Sequence, residues 1–241
     1  MVNDAKTSIA AAISRNVTGS PSLAKNRTVK FYDTEGSCQL NNLGYIFRER
    51  IENGDSEVTL KFRGPDRYIA DFEDLSATSG SAETKLESDI SASSSSNFKV
   101  VYSHSTTAPN TRTINNFADI NNQFPGFDSD YNFSNSTILD LVGNLTISER
   151  VYKGVTIDLG QFDAEISVTL WYTSAPSGSQ QPAVAEISFK YADSSADYTK
   201  AVVNRAQQSF YALQDLTAWT SPNSQTKTQF VYAYDPAFCG N

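Results

Sequence analysis

Apolar and polar residues alternate with a period of two along much of this chain, the spacing that puts residues i and i+2 on one face of a strand. The stretches are 28–32, 44–52, 57–63, 82–90, 98–103, 144–153 continued by 155–159, 164–172 and 184–191. Within 46–52 the pattern sets Arg48 and Arg50 on one face and Phe47 and Ile51 on the other. In the next stretch Thr59, Lys61 and Arg63 oppose Val58, Leu60 and Phe62. The same division separates Glu83, Lys85, Glu87 and Asp89 from Leu86 and Ile90, and Glu165, Ser167 and Thr169 from Ile166, Val168 and Leu170. It also separates Glu186, Ser188 and Lys190 from Ile187, Phe189 and Tyr191, and Arg150 sits in a strand of its own. Helical spacing is confined to 113–124, where Ile114, Phe117 and Phe124 share a stripe, and to 196–219, where Tyr198, Val202, Ala206, Phe210, Leu213 and Leu216 do. Polar stretches at 77–82, 91–97 and 173–182 read as exposed loops. Without an internal repeat or a boundary signal, the simplest organisation is one domain over 1–241. It has an N-terminal extension of helical potential at 1–27 and a C-terminal helix at 196–219.

So many strands predict a mainly β, α+β fold, a sandwich or a barrel. One explanation of the charged faces is an ordinary antiparallel sheet with a solvated outer side. The other inverts that order. Helices cover apolar faces that point outward, and the charged faces line the inside of a closed antiparallel barrel of about eight strands. In such a tunnel arginine forks and lysine ammonium groups suit phosphate oxygens, while carboxylates suit a hard cation such as Mg²⁺ or Mn²⁺.

Composition narrows the partners. The chain has 241 residues, 39% hydrophobic and 12% aromatic, enough to build a core. A net charge of -8 disfavours broad contact with nucleic acid or an anionic membrane and leaves room only for a local cationic pocket. No run of about 18 apolar residues predicts a spanning helix. His104 is the only histidine, which argues against paired-histidine metal sites and histidine relays and reads best as a polar strand-end residue. Neither GxxxxGK[ST] nor GxGxxG occurs. Trp171, Tyr172 and Tyr191 read as packing residues before they read as a stacking platform. Asn16, Asn26, Asn132, Asn135 and Asn144 each begin an N-x-Ser/Thr sequon, and Cys38 and Cys239 are either one long-range disulfide or two free thiols. These features favour an exported protein whose signal peptide is not in the sequence, with a cytoplasmic one as the alternative. They leave the oligomeric state open.

One ordered set of motifs resembles the CYTH, or triphosphate tunnel metalloenzyme, superfamily. Phe31-Tyr32-Asp33-Thr34, Leu40, Gly44, Arg48-Glu49-Arg50 and Thr59-Leu60-Lys61 follow that family's Y-[FL]-D-T, leucine, glycine, R-x-R and T-L-K in order. Further along, Glu83-Thr84-Lys85-Leu86-Glu87, Arg150, Glu165 and Ala185-Glu186-Ile187 look like its later strands. The resemblance implies a tunnel of about eight strands and a small phosphorylated or polyanionic ligand. It makes Arg48, Arg50 and Lys61, with Arg63, Lys85, Arg150 and Lys190, candidates for substrate binding. It implies Mg²⁺ or Mn²⁺ as cofactor, with Glu165 and Glu186 as candidate ligands, joined by Glu83 and Glu87 if the site is rebuilt on that strand, and hydrolysis of a triphosphate or similar phosphoanhydride. Two departures weigh against catalysis. The family's opening E-x-E-x-K has no match in residues 1–30, and its late E-x-E is replaced by Glu186, Ser188 and Lys190. The alternative is a secreted binding or structural protein that keeps the barrel without the chemistry.

Overall fold

A computed structural model describes residues 1–94, 97–191, 198–221 and 225–240. In chain order the helices are α1 (Val2–Ile13), α2 (Gln39–Asn42), α3 (Arg67–Phe72), α4 (Phe117–Asn121), α5 (Pro125–Tyr131), α6 (Lys200–Gln214) and α7 (Lys227–Tyr234). The strands are β1 (Val17–Asp33), β2 (Tyr45–Glu52), β3 (Asp55–Gly64), β4 (Glu83–Ser94), β5 (Asn97–Asn110), β6 (Asp140–Leu141), β7 (Ile147–Asp158), β8 (Asp163–Tyr172) and β9 (Val184–Lys190). They form one antiparallel sheet in the order β4-β5-β3-β2-β1-β7-β8-β9, with the short β6 against the end of β1.

Among the described residues β4 and β9 are edges and no ladder joins them, so the sheet is not the closed barrel expected from the strand count. It is nevertheless curled. Eight strands laid flat would hold the edges about 34 Å apart at ~4.8 Å per interval. Lys190 on β9 forms an ion pair with Glu87 on β4, and two such side chains together reach about 13 Å. The edges therefore face each other across a seam that side chains, not backbone hydrogen bonds, bridge.

The apolar faces carry the helices. Tyr45, Phe47, Val58, Leu60 and Phe62 pack under Phe117, Phe124 and Phe127 from α4 and α5. On the other flank Val155, Ile157, Ile166 and Val168 pack under Ala5 and Ile9 of α1 and Val202 and Ala206 of α6. Helical spacing at 113–124 becomes the five-residue α4, which Asn116 and Asp119 start with a reciprocal capping box. The C-terminal helix is shorter than expected, Lys200–Gln214, and residues 196 and 197 lie outside the described set. The stretch read as a loop at 91–97 is largely strand, with residues 95 and 96 also outside the description. The largest departure is β1, which starts eleven residues before the alternation does (28 against 17). Two register shifts against β7, at Gly19/Ser22 and Leu23/Lys25, disturb the period there and hide the strand from a period-two reading.

Candidate functional site

Cross-strand register decides which side chains share a face, because directly opposed residues in an antiparallel pair point the same way. Arg27 opposes Glu149, Val29 opposes Arg50 and Phe31 opposes Arg48. Arg48 opposes Thr59, and Ile46 opposes Lys61. Thr59 opposes Thr107, which opposes Glu83. On the far flank Glu165 opposes Lys190, and Thr169 opposes Glu186. All these residues therefore lie on the face turned away from the two helical layers. That face is concave, since Glu87 of β4 and Lys190 of β9, which both lie on it, meet across the two edges of the sheet.

Three arginines gather at the middle of this groove. Arg27 is ion-paired with Glu149, and Arg50 Nε lies 3.8 Å from the same carboxylate. Glu149 is 1% exposed and also accepts a hydrogen bond from Trp171 Nε1 at 2.7 Å. Burial would raise its pKa, but Arg50, Arg27 and the indole together hold it down to about 2. Among the described residues Arg48 has a single hydrogen bond, from Nη2 to Thr59 Oγ1 at 3.5 Å, and its buried Nε has no hydrogen-bond partner, nor has that of Arg50. Burial and then the like charges of Arg50 and Arg27 push the Arg48 pKa well below the ordinary value. Burial, followed by the charge of Arg27, brings Arg50 down to about 10. The cluster is thus rich in positive charge, half-buried and, among the described residues, short of acceptors.

Lys61 and Arg63, further along β3, share Asp89, at 3.3 and 2.6 Å, with Ser103 donating to the same oxygen at 2.9 Å. Burial lowers the Lys61 pKa, against the pull of Asp89. Lys85 and Lys190 are nearer the seam, paired with Glu83 at 2.8 Å and with Glu87. Arg150 is placed differently from its expected role, because it opposes Leu170 on the helix-covered face and lies over the Tyr172 ring at 5.9 Å from the centroid. The four glutamates considered for a metal are held apart, each by its own lysine: Glu83 by Lys85, Glu87 by Lys190, Glu165 by Lys153 and Glu186 by Lys227. Among the described residues no three His, Cys, Asp or Glu side chains come together in a way that could hold a metal ion. These side chains as placed do not make a donor set for Mg²⁺ or Mn²⁺, and no chemical step is derived through one.

Other motif residues have structural work. Asp33 accepts hydrogen bonds from the backbone N–H groups of Thr34, Leu40 and Asn41, and from the Tyr232 hydroxyl at 2.8 Å, tying β1 to α2 and α7. Gly44 has φ +84, and a Cβ there would stand 2.9 Å from the Arg63 carbonyl oxygen, so the turn into β2 calls for glycine. His104, inside β5 and not at a strand end as expected, donates a hydrogen bond from Nδ1 to the Ala70 carbonyl of α3 at 2.9 Å. Cys38 and Cys239 are joined in a disulfide, the first of the two alternatives. Among the described residues no helix is long and apolar enough to cross a membrane. Sequence reasoning missed Arg27, Glu57 and Glu149. The available signal was a lone glutamate between Ile147 and Val151 on an otherwise apolar strand face.

No protein-family model matches the chain, and no protein of curated function matches it. A solved structure from Bacillus halodurans, of a protein provisionally described as an adenylate cyclase, aligns with a TM-score of 0.40 at 13% identity. The alignment covers 85% of this chain and 81% of that one. A likeness at this level assigns neither family nor activity.

Proposed function

We propose that the concave groove binds a small phosphate-bearing anion, as a divergent CYTH-like protein with an open groove in which binding does not depend on a metal. Arg48 and Arg50 are the primary contacts. Lys61 and Arg63 stand behind them, and Lys85 and Lys190 flank the seam. The observation that carries the reading is Arg48. Arg48 is half-buried, and among the described residues it has one 3.5 Å hydrogen bond and an Nε without a partner, so its guanidinium keeps donors for a further acceptor. Phosphate oxygens are well matched to the free forks of Arg48 and Arg50. The Cys38–Cys239 disulfide supports an oxidising compartment, in line with an exported binding protein.

Calorimetry with pyrophosphate and tripolyphosphate, with and without Mg²⁺ or Mn²⁺, tests this directly. The wild type should bind without metal. Arg48→Met should lose about 10- to 100-fold in affinity, the worth of one or two charge-assisted hydrogen bonds. Because that substitution removes a half-buried charge beside the like charges of Arg50 and Arg27, the melting temperature of the free protein should stay level or rise. Unchanged affinity in the variant, or no binding by the wild type, would overturn the reading. Phosphate release that requires the metal would replace binding alone with hydrolysis.

A further inference from the structure

Helix α3 and the turn that follows it lie on the other side of the sheet from the groove, since His104 opposes Phe62, a residue of the helix-covered core. The helix is firmly seated. Ala70 is fully buried, its carbonyl accepts from His104, and Asp66 caps the first turn through the N–H groups of Tyr68 and Ile69 at 2.7 and 3.0 Å. On this fixed base Tyr68, Ile69 and Phe72 are 80%, 57% and 88% exposed. Residues three and four apart share a helix face, so Phe72 stands beside both of the others. A cavity of 380 Å³ adjoins them, lined by Phe72, His104, Thr84, Asp71, Glu73 and Asp74 among others. Large apolar side chains scattered singly on a surface need no explanation, but three together beside a hollow mark a contact site. The rim is acidic. Asp66, Asp71, Glu73 and Asp74 stand against the single Arg67 over residues 66–74. Asp66 and Asp74 accept from backbone N–H groups, and Glu73 from the Tyr45 and Tyr131 hydroxyls, neutral partners that leave the carboxylate charge in place.

We infer that this face docks a basic, apolar segment of a partner protein, with Tyr68, Ile69 and Phe72 covering its apolar side chains and the surrounding carboxylates meeting its lysines or arginines. It is independent of the phosphate reading, which concerns the opposite face of the sheet. Charge selects the occupant. An anionic membrane surface attracts basic segments and repels a rim of this sign. A second copy of the chain joined through the same patch would set the same carboxylates against each other, in a protein already at a net charge of -8. A cationic partner meets no such cost, and complementary charge speeds encounter and rejects other partners. Exposed aromatics at the centre of a patch carry most of the binding energy in protein interfaces. Because α3 is already held by Ala70, His104 and Asp66, little order has to be gained on docking.

Fluorescence anisotropy with a labelled amphipathic Leu–Lys peptide and its Leu–Glu counterpart tests the inference, alongside sedimentation with phosphatidylcholine–phosphatidylglycerol vesicles. The Leu–Lys peptide should bind saturably and more weakly as salt rises, and the Leu–Glu peptide about tenfold less well. Tyr68→Ser combined with Phe72→Ser changes no charge and should cost about tenfold or more in affinity for the Leu–Lys peptide. Asp71→Asn combined with Asp74→Asn should also weaken binding and flatten its salt dependence. Both serine positions are exposed, so the melting temperature should hold; if the pair disturbs folding, Phe72→Ser alone gives the same comparison. Undiminished affinity in the serine variant would mean that the peptide follows net charge and not this patch, and would overturn the inference. So would failure of the Leu–Lys peptide to bind. Sedimentation with the vesicles that the serine variant loses would assign the face to a membrane, and self-association that the same variant abolishes would assign it to a second copy; either result overturns the basic partner.

Discussion

Glu149 shows how a single residue couples the site to stability. Its carboxylate is buried with the charges of Arg27 and Arg50 and the Trp171 indole N–H, and it titrates near 2 where an unfolded glutamate titrates near 4.5. A depressed carboxylate contributes fully above its unfolded pKa and loses that contribution as pH falls towards the folded one. Stability should therefore decline between about pH 4.5 and pH 2, by on the order of 3 kcal/mol from this group. Glu149→Gln should lower the melting temperature at neutral pH, because Arg27 and Arg50 lose their shared counter-ion, and should flatten the acid limb. Thermal melts across that pH window would check it; an acid limb as steep in the variant as in the wild type would assign the loss to other carboxylates. The two arginines were legible in the sequence because Phe47 and Ile51 mark the opposite face. Glu149 was not, since Ser148 and Arg150 beside it make the strand's polar face ambiguous until β1 and β8 fix which side is which.

Among the elements, those with a clean period were the readable ones. β2, β3, β8 and β9 lie close to their expected bounds, because each has one apolar face under helices and one polar face in the groove. β1 was half hidden by its bulges. α7 was invisible because it has no single apolar stripe: Val231 and Phe230 join the apolar cluster, while Lys227 reaches Glu186 and lies over the Trp171 ring at 5.7 Å. A helix so short and mixed holds its place through tertiary contacts, and the disulfide, spanning 201 residues of sequence, is the strongest of them. In the chain-entropy treatment a loop of that length stabilises the folded state by about 5 kcal/mol. Urea unfolding of Cys38→Ser/Cys239→Ser should show a midpoint well below that of the wild type, and dithiothreitol should shift only the wild type. A midpoint unchanged by either treatment would mean that α7 holds without its staple.

For the whole molecule, charge patterning left an ordinary and an inverted sheet open; the register puts Arg48, Arg50, Lys61, Glu165 and Lys190 on the concave face, together with an apolar cluster of Val29, Phe31, Ile46 and Trp171. Closure was not decidable from sequence, because strand count and alternation are the same for a closed barrel and for a curled sheet whose edges stop short of pairing. Among the described residues the seam is bridged by Glu87–Lys190, with side chains 32% and 63% exposed, while the Gln214 side chain of α6 donates to the Asn97 carbonyl of β5 at 2.8 Å. An ion pair this exposed adds little to global stability. Its larger effect is to keep two unpaired edges beside each other, where they shield one another from foreign strands. Lys190→Glu places two carboxylates across the seam. It should leave the melting temperature within about 2 °C, given the small worth of an exposed pair. Amide exchange in β4 and β9 should nonetheless speed up, and the protein should self-associate more at high concentration. Glu87→Lys combined with Lys190→Glu restores opposite charges and should restore both properties. Exchange and association unchanged in the single variant would show that the backbone on either side, not this pair, sets the width of the seam.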